Sequence, residues 1–274
     1  MKPLVSIVVP SYNQAHYLTM SLDSVFFQNY PNLEIIICNH GSTDNTSEVI
    51  ADYLKGLESE QVDFLERLDE DGKTLQRKTE LRFPQGRQVK VCESTENLGG
   101  TASYNVGFRN ATGKYCMYLV GDDYFTPDAL ARMVDVMEET GVDVVYTDMF
   151  VVNDAGNILQ RLSKPAYSFE ACFCEWFHLG VNRLYKRELH ERYGYYDESI
   201  RNANDYDMFL RFAMEGATFR HIPEVLYYTR KHSNHAGVEP ASWANGGYSN
   251  LMLESIECAK RARTHLERMN KGGA

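Results

Sequence analysis

Through the first 150 residues, short β-branched runs alternate with stretches of helical periodicity. Residues 4–9 (LVSIVV) are continuous and apolar and are closed by Pro10, the pattern of a strand buried on both faces. Residues 15–28 place Leu18, Leu22, Val25 and Phe26 at i, i+4, i+7 and i+8, a helix with one apolar stripe. Tyr30-Pro31-Asn32 breaks it, and residues 33–38 (LEIIIC) give a second strand. The same alternation predicts a helix from about 43 to 54, a strand at 89–92, a helix over 100–110, a strand at 115–120, a helix over 127–139 and a strand at 142–147. Strands and helices alternating at this spacing imply a parallel sheet with right-handed crossovers.

Two stretches break the rhythm. Residues 56–88 lack clear periodicity and carry Arg67, Lys73, Arg77, Lys78, Arg82 and Arg87 among acidic neighbours, which suggests an inserted excursion or hairpin. Beyond residue 150 the alternation is lost. Asp154-Ala155-Gly156 reads as a hairpin turn, 204–214 as a helix, and 217–222 and 225–229 as two strands. The last ~25 residues read as one helix with Met252, Ile256, Ala259 and Leu266 on one face and basic residues on the other. The expected organisation is an α/β half over 1–150, a second half of the same domain over 151–235, and a helical extension over 236–274.

A length of 274 residues, 43% of them hydrophobic, is enough for a sizeable core. The net charge of −10 argues against nucleic-acid binding by the whole surface, although the basic stretch at 67–90 leaves a local contact open. The six cysteines lack metal-ligand spacing; Cys38 and Cys116 sit in strand-like runs as small hydrophobes, and Cys172-x-Cys174 is too tight for a zinc knuckle. No signal segment precedes the first strand, and no apolar run reaches the ~18 residues of a membrane span. The expectation is a cytoplasmic protein, with peripheral contact at the inner membrane face as an option.

The most informative chemistry is Gly121-Asp122-Asp123, directly after the apolar run 115–120. Adjacent carboxylates at the end of a buried strand are costly unless a positive partner sits on them. A divalent cation carrying substrate phosphates is one solution, at the sheet edge where open α/β folds bind ligands. The alternative is helix capping, because Thr126-Pro127-Asp128 follows.

Other segments join this one. Residues 5–13 (VSIVVPSYN), 39–46 (NHGSTDNT), 97–107 (NLGGTASYNVG) and 121–127 (GDDYFTP) occur in order, followed by 194–199 (GYYDES), 204–211 (NDYDMFLR) and 228–232 (YTRKH). Together they resemble glycosyltransferase family 2. The resemblance implies a GT-A, Rossmann-like α/β fold: a mixed, mostly parallel sheet flanked by helices, with a C-terminal acceptor-side region and a terminal helix. It also implies an inverting enzyme that uses a nucleotide-sugar donor and needs Mn2+ or Mg2+.

By that resemblance Asp122 is the last aspartate of the family's Asp-x-Asp metal motif. The first falls on Val120, which cannot ligate, and Asp123 is the candidate to compensate. The donor is expected across Pro10, Ser11, Tyr12 and Asn13, with Tyr12 stacking on the base. His40 stands where the family commonly has an acidic residue that accepts a bond from uracil; a turn role is its alternative. UDP is the favoured nucleotide, with GDP and dTDP as competitors. Gly99 and Gly100 allow close backbone approach at a helix start. Asn105 is a further donor-side candidate, against a packing role. Asp205 matches the family's catalytic base, against a capping role. Arg230 and His232 match a segment that closes over the diphosphate.

The Gln-x-x-Arg-Trp motif of processive polymerases is absent, so transfer of one sugar to a carbohydrate or glycolipid acceptor in surface polysaccharide assembly is expected. Action on a modified nucleic-acid base, or nucleotide-sugar binding with weak catalysis, are the alternatives. Sequence does not disclose the sugar, the acceptor or the linkage.

Overall fold

The computed structural model describes residues 2–68, 75–232 and 247–272. Strand β1 (Val5–Ser11) lies between β2 (Leu33–His40) and β6 (Tyr115–Tyr118), parallel to both, with β5 (Gln88–Ser94) parallel on the far side of β2. Helices α1 (Ala15–Phe26), α2 (Thr46–Ser59) and α3 (Gly100–Asn110) come from the connections between them. The sheet continues past β6 through β10 (Arg183–Lys186), β8 (Val144–Val152), β11 (Phe219–Arg230) and β7 (Tyr124–Phe125), so segments from both halves of the chain build one nine-stranded sheet. β10 is antiparallel to β6 and β8, whereas β8 and β11 are parallel.

β8 changes partner along its length. Its first residues pair with β10, but Met149–Val152 pair with β9 (Ile158–Leu162) across the expected turn at 153–157. β6 ends at Tyr118, and Gly121, Asp122 and Asp123 follow it at the C-terminal edge of the parallel strands.

Side-chain alternation on β1 separates two cores. Ile7 and Val9 pack with Leu18, Leu22, Val25 and Phe26 of α1 and with Leu130, Met133 and Met137 of α4 (Ala129–Thr140). Val8 faces the other way, toward Phe108 of α3 and toward Phe209 and Phe212 of α6 (Asn204–Met214). The α1 stripe is thus the one its periodicity predicts. Gly107 lets α3 settle on β1, because a Cβ there would collide with Val8 and come within 3.1 Å of Cys38 Sγ.

Several expectations need correction. Helix α2 runs on to Ser59, and the 56–88 excursion is a separate antiparallel hairpin of β3 (Gln61–Leu68) and β4 (Leu75–Leu81), whose tip at 69–74 lies outside the described residues. The two strands read at 217–229 are one strand, β11. Its register shifts between Ile222 and Val225, around Pro223, which has no N–H to give the ladder. Following α5 (Glu188–Tyr193) and α6, the terminal helix α7 (Gly247–Gly272) buries Ser255, Cys258, Ala259 and Ala262, while Met252 and Ile256 are exposed. Ala259 and Leu266 of the expected face do pack inward, together with Leu251, while Met252 and Ile256 do not. Residues 236–246 of the expected extension are outside the described region. The cysteines are all free thiols, and Cys172 and Cys174 lie buried in a π-helical turn. No helix among the described residues is long and apolar enough to cross a membrane.

Glu34 is a fully buried carboxylate in the middle of this parallel sheet. It accepts hydrogen bonds from Lys90 Nζ at 2.6 Å, from the Thr112 N–H and hydroxyl at 2.8 Å each, and from Ser6. Burial alone would raise its pKa, but these donors outweigh burial and hold it below the usual value. Its contribution to stability is therefore present in full above the unfolded-state value near ~4.3 and is lost as pH falls through the lower folded value. Glu34→Ala, which strands these donors, should cost about 1–3 kcal/mol in urea unfolding at pH 7, with the difference shrinking at low pH.

Candidate active site

The C-terminal edge of the parallel strands carries a cavity of about 270 Å³ lined by Pro10, Ser11, Tyr12, Gln14, His40, Asn97, Gly99, Gly100, Ser103 and Tyr104. Six of these are residues expected on the donor side: Pro10, Ser11, Tyr12, His40, Gly99 and Gly100. The Tyr12 ring is 40% exposed and free to stack on a planar group. Gly99 sits at φ +78° just ahead of α3, with open space where a side chain would stand. Gln14, Ser103 and Tyr104 also line the cavity. Ser103 was discoverable, since it lies about one turn into the helix opened by the glycines; nothing in sequence singles out Gln14.

Gln14 Oε1 and Ser11 Oγ are buried without hydrogen-bond partners in the protein. Both face Gly121, where a Cβ would collide with Gln14 Oε1 and stand 3.0 Å from Ser11 Oγ. The glycine before the acidic pair is thus needed for close approach.

His40 is buried, with Nδ1 2.8 Å from Ser103 Oγ. Burial lowers its pKa, so the ring is held neutral. A neutral imidazole gives one donor and one acceptor, and Ser103 engages the first nitrogen.

The two aspartates behave differently. Asp123 is 4% exposed; Oδ2 accepts from Tyr227 Oη at 2.8 Å and Oδ1 from the Arg230 N–H at 2.7 Å. Burial, then the neighbouring Asp122, push its pKa up to about 7. Its oxygens are committed inside the protein, which corrects the expectation that it supplements the metal motif. Asp122 is less enclosed. His232 bridges it to the β8–β9 hairpin, with Nε2 2.9 Å from Asp122 Oδ2 and Nδ1 2.8 Å from Asp154 Oδ1. Burial lowers the His232 pKa, but the two carboxylates outweigh it and the net shift is upward.

Three further residues stand differently from the donor-side expectation. Asn13, at φ 53°, uses Oδ1 to accept the Thr43 N–H at 2.7 Å and so ties the β1 and β2 loops together. Asn105 is fully buried, bonded to the Tyr196 carbonyl and N–H at 3.0 Å each and to Glu198 at 2.9 Å. It pins α3 to the segment before α6. The Arg230 guanidinium packs over Tyr17 and Tyr124 and donates to the backbone carbonyls of Asp122, Asn153 and Asp154 at 3.0–3.1 Å. It braces the loop behind the acidic pair through Nε and Nη1, while Nη2 lies against Met20 Sδ at 3.8 Å.

Asp205 is in the first turn of α6, its side chain 24% exposed. Oδ2 accepts from Arg183 Nη2 at 3.0 Å and Oδ1 from the Tyr206 N–H at 2.7 Å. It does not cap the helix in the usual way, by bonding a later N–H. Asn204 next to it donates to Thr101 Oγ1 at 2.9 Å, which docks α6 on the start of α3. Asp207 pairs with Arg211 at 2.9 Å and with Arg261 of α7. Tyr104 joins the parts: it lines the cavity and lies within electrostatic reach of Asp205, Asp122 and Asp123.

A glycosyl transferase family 2 profile matches residues 6–194. The chain belongs to that family. It is 30% identical over 239 residues to chondroitin synthase of Pasteurella multocida (strain Pm70), covering 86% of this chain and 22% of that protein. It is 30% identical over the same length to hyaluronan synthase of Pasteurella multocida, covering 86% of this chain and 21% of that protein. The chain thus spans about a fifth of the length of these relatives. Among solved structures, S. aureus TarS 1-349 in complex with UDP-GlcNAc superposes with TM-score 0.66 at 19% identity, over 94% of this chain and 66% of that one. Mannosyltransferase PcManGT from Pyrobaculum calidifontis, in complex with GDP-Man and Mn2+, superposes with TM-score 0.61 at 20% identity, over all of this chain and 77% of that one. The GT-A fold expected from the motifs is the fold observed.

If Asn105 is a structural pin, Asn105→Ala should lower stability by about 1–3 kcal/mol in urea unfolding and leave UDP affinity unchanged by calorimetry. A lost UDP affinity in a fully folded variant would return Asn105 to the donor site.

Proposed function

We propose that the chain is an inverting, non-processive glycosyltransferase that moves one sugar from a nucleotide-diphosphate sugar to a hydroxyl of a carbohydrate or glycolipid acceptor. The carrying observation is convergence at one sheet edge: a cavity of about 270 Å³ is lined by six of the donor-side residues, and Gly121, at the head of the acidic tip, closes on Ser11 and Gln14 of the same lining. UDP is the favoured nucleotide. TarS binds UDP-GlcNAc on a similar fold, and a neutral His40 has one nitrogen left to bond the edge of a base. In this reading the first 150 residues hold the donor, and the segment to 235 supplies the base and the acceptor surface.

Asp122 supports a divalent ion at this edge, since a carboxylate oxygen suits Mn2+ or Mg2+. His232 Nε2 lies 2.9 Å from Asp122 Oδ2 and Asp154 holds the other nitrogen of the ring, so that His232 would be a second donor once Nε2 is deprotonated. Among the described residues no group of three or more acidic, histidine or cysteine side chains is gathered for a metal, so substrate oxygens would supply the rest. Asp122 and His232 would hold the ion, with diphosphate oxygens completing its coordination. When bound, the ion neutralises charge that develops on the leaving diphosphate. The chain's own residues do the remainder. Tyr12, His40 and the glycine-opened start of α3 seat the nucleoside. Gly121 permits the backbone approach. Asp205 accepts the proton of the acceptor hydroxyl as its oxygen bonds to the anomeric carbon; the bond from that carbon to the nucleoside diphosphate breaks on the opposite face, which inverts the centre. The polysaccharide-synthase relatives favour a growing glycan as acceptor.

Asp205→Asn should bind donor as the parent does and lose transfer by about 10²- to 10⁴-fold, read as nucleotide release in a panel of UDP- and GDP-sugars. Full turnover in that variant would remove Asp205 as the base. Asp122→Ala should abolish the part of UDP affinity that depends on Mn2+, measured by calorimetry with and without the ion; an unchanged Mn2+ dependence would move the ion elsewhere.

A further inference from the structure

Arg183, on β10, is 1% exposed and has no counterpart among the motifs that define the family resemblance. Its guanidinium carbon lies 4.5 Å from the Phe209 ring centre, 4.9 Å from that of Phe177 and 5.4 Å from that of Tyr118. Nη2 donates to Asp205 Oδ2 at 3.0 Å and to the Tyr118 hydroxyl. Nε and Nη1 are buried without hydrogen-bond partners. Arginine cannot shed its proton in this setting, and a buried charge is tolerated only when paired. The ring faces offset part of that charge, and the carboxylate that meets it is Asp205.

We infer that Arg183 is the positioning residue for the catalytic carboxylate: its Nη2 fixes Asp205 through Oδ2, so that the exposed edge of the carboxylate is aimed at the acceptor hydroxyl. This rests on the reading of Asp205 as the base. The phenols and the thiol nearest Asp205 are neutral at neutral pH: burial raises Tyr118 of β6, Tyr104 of α3 and Tyr196 ahead of α6, and pushes the Cys258 thiol of α7 up to about 12. The charged groups nearby are engaged elsewhere: Asp207 on the same helix is paired with Arg211 and Arg261, and Glu254 of α7 accepts the N–H groups of Asn202 and Ala203 just before it. Arg183 is the cation that meets this carboxylate. The dependence is mutual, because removing the Asp205 charge leaves a guanidinium among aromatic rings.

Four variants of the full chain test this: Arg183→Met, Arg183→Lys, Asp205→Asn and the double Arg183→Met/Asp205→Asn. Urea midpoints are compared, UDP affinity is measured by calorimetry, and kcat and KM for UDP release are measured with UDP-GlcNAc and Mn2+ as the probe. Asp205→Asn should lower the urea midpoint, and adding Arg183→Met should recover most of that loss. Arg183→Met should keep UDP affinity while kcat falls about 10- to 100-fold. Its KM for UDP-GlcNAc should stay near that of the parent, so that the loss falls on kcat alone. Arg183→Lys should restore part of it. Strictly additive midpoints, or an Arg183→Met kcat matching the parent while Asp205→Asn is inactive, would overturn the role of Arg183 alone. Parent-like turnover in Asp205→Asn would instead overturn the base reading and this inference with it.

Discussion

Two carboxylates at the mouth of a buried strand have to be compensated, and much of the second half of the molecule is placed to do so. Asp123 takes its bonds from Tyr227 and from the backbone of Arg230, both on β11. Its carbonyl accepts the Ser21 hydroxyl from α1 at 2.7 Å. Asp122 is met by His232, two residues beyond that strand, and its carbonyl by the Arg230 side chain. The same arginine draws the β8–β9 turn inward through the carbonyls of Asn153 and Asp154. An uncompensated pair would destabilise the edge by several kcal/mol, so this closure is a folding requirement as much as a functional one.

The parallel half was legible because burial on both faces leaves a simple trace. The runs 4–9, 33–38 and 115–120 are nearly all apolar, and the helix between the first two shows its stripe. Where that trace fails, the physics is of another kind. Pro223 sits at a register shift that a long edge-side strand absorbs, so 217–229 reads as two strands although the backbone continues. The terminal helix buries Ser255, Ala259 and Ala262, so of the four residues expected on its inner face Ala259 and Leu266 pack inward while Met252 and Ile256 stay exposed.

Site residues divide in the same way. Pro10, Ser11, Gly99 and Gly100, proposed to act through backbone or small size, line the cavity at the sheet edge. Those acting through a long polar side chain were harder to assign, because each can serve the ligand or the protein. Asn105, Asn13 and Arg230 turn out to hold loops and helices together. Arg183 left no mark at all: within Val181-Asn182-Arg183-Leu184-Tyr185 it looks like an ordinary polar position on a short strand. Only the fold shows that three aromatic rings from β6, α6 and the preceding loop enclose it.

Val120 takes its meaning from this arrangement. It packs, partly buried, against the core beneath α3, so the first position of the acidic motif serves packing. With Asp123 turned inward, Asp122 is left as the accessible carboxylate of the tip, and His232 stands as the second donor. On the proposed reading, one carboxylate and one imidazole hold a free divalent ion more weakly than two carboxylates would, because less negative charge faces it. The same reduction lessens repulsion toward an incoming diphosphate. Ion and diphosphate then favour each other's binding more than either favours the empty protein, which makes donor recognition at this edge a joint event of metal, phosphate and nucleoside.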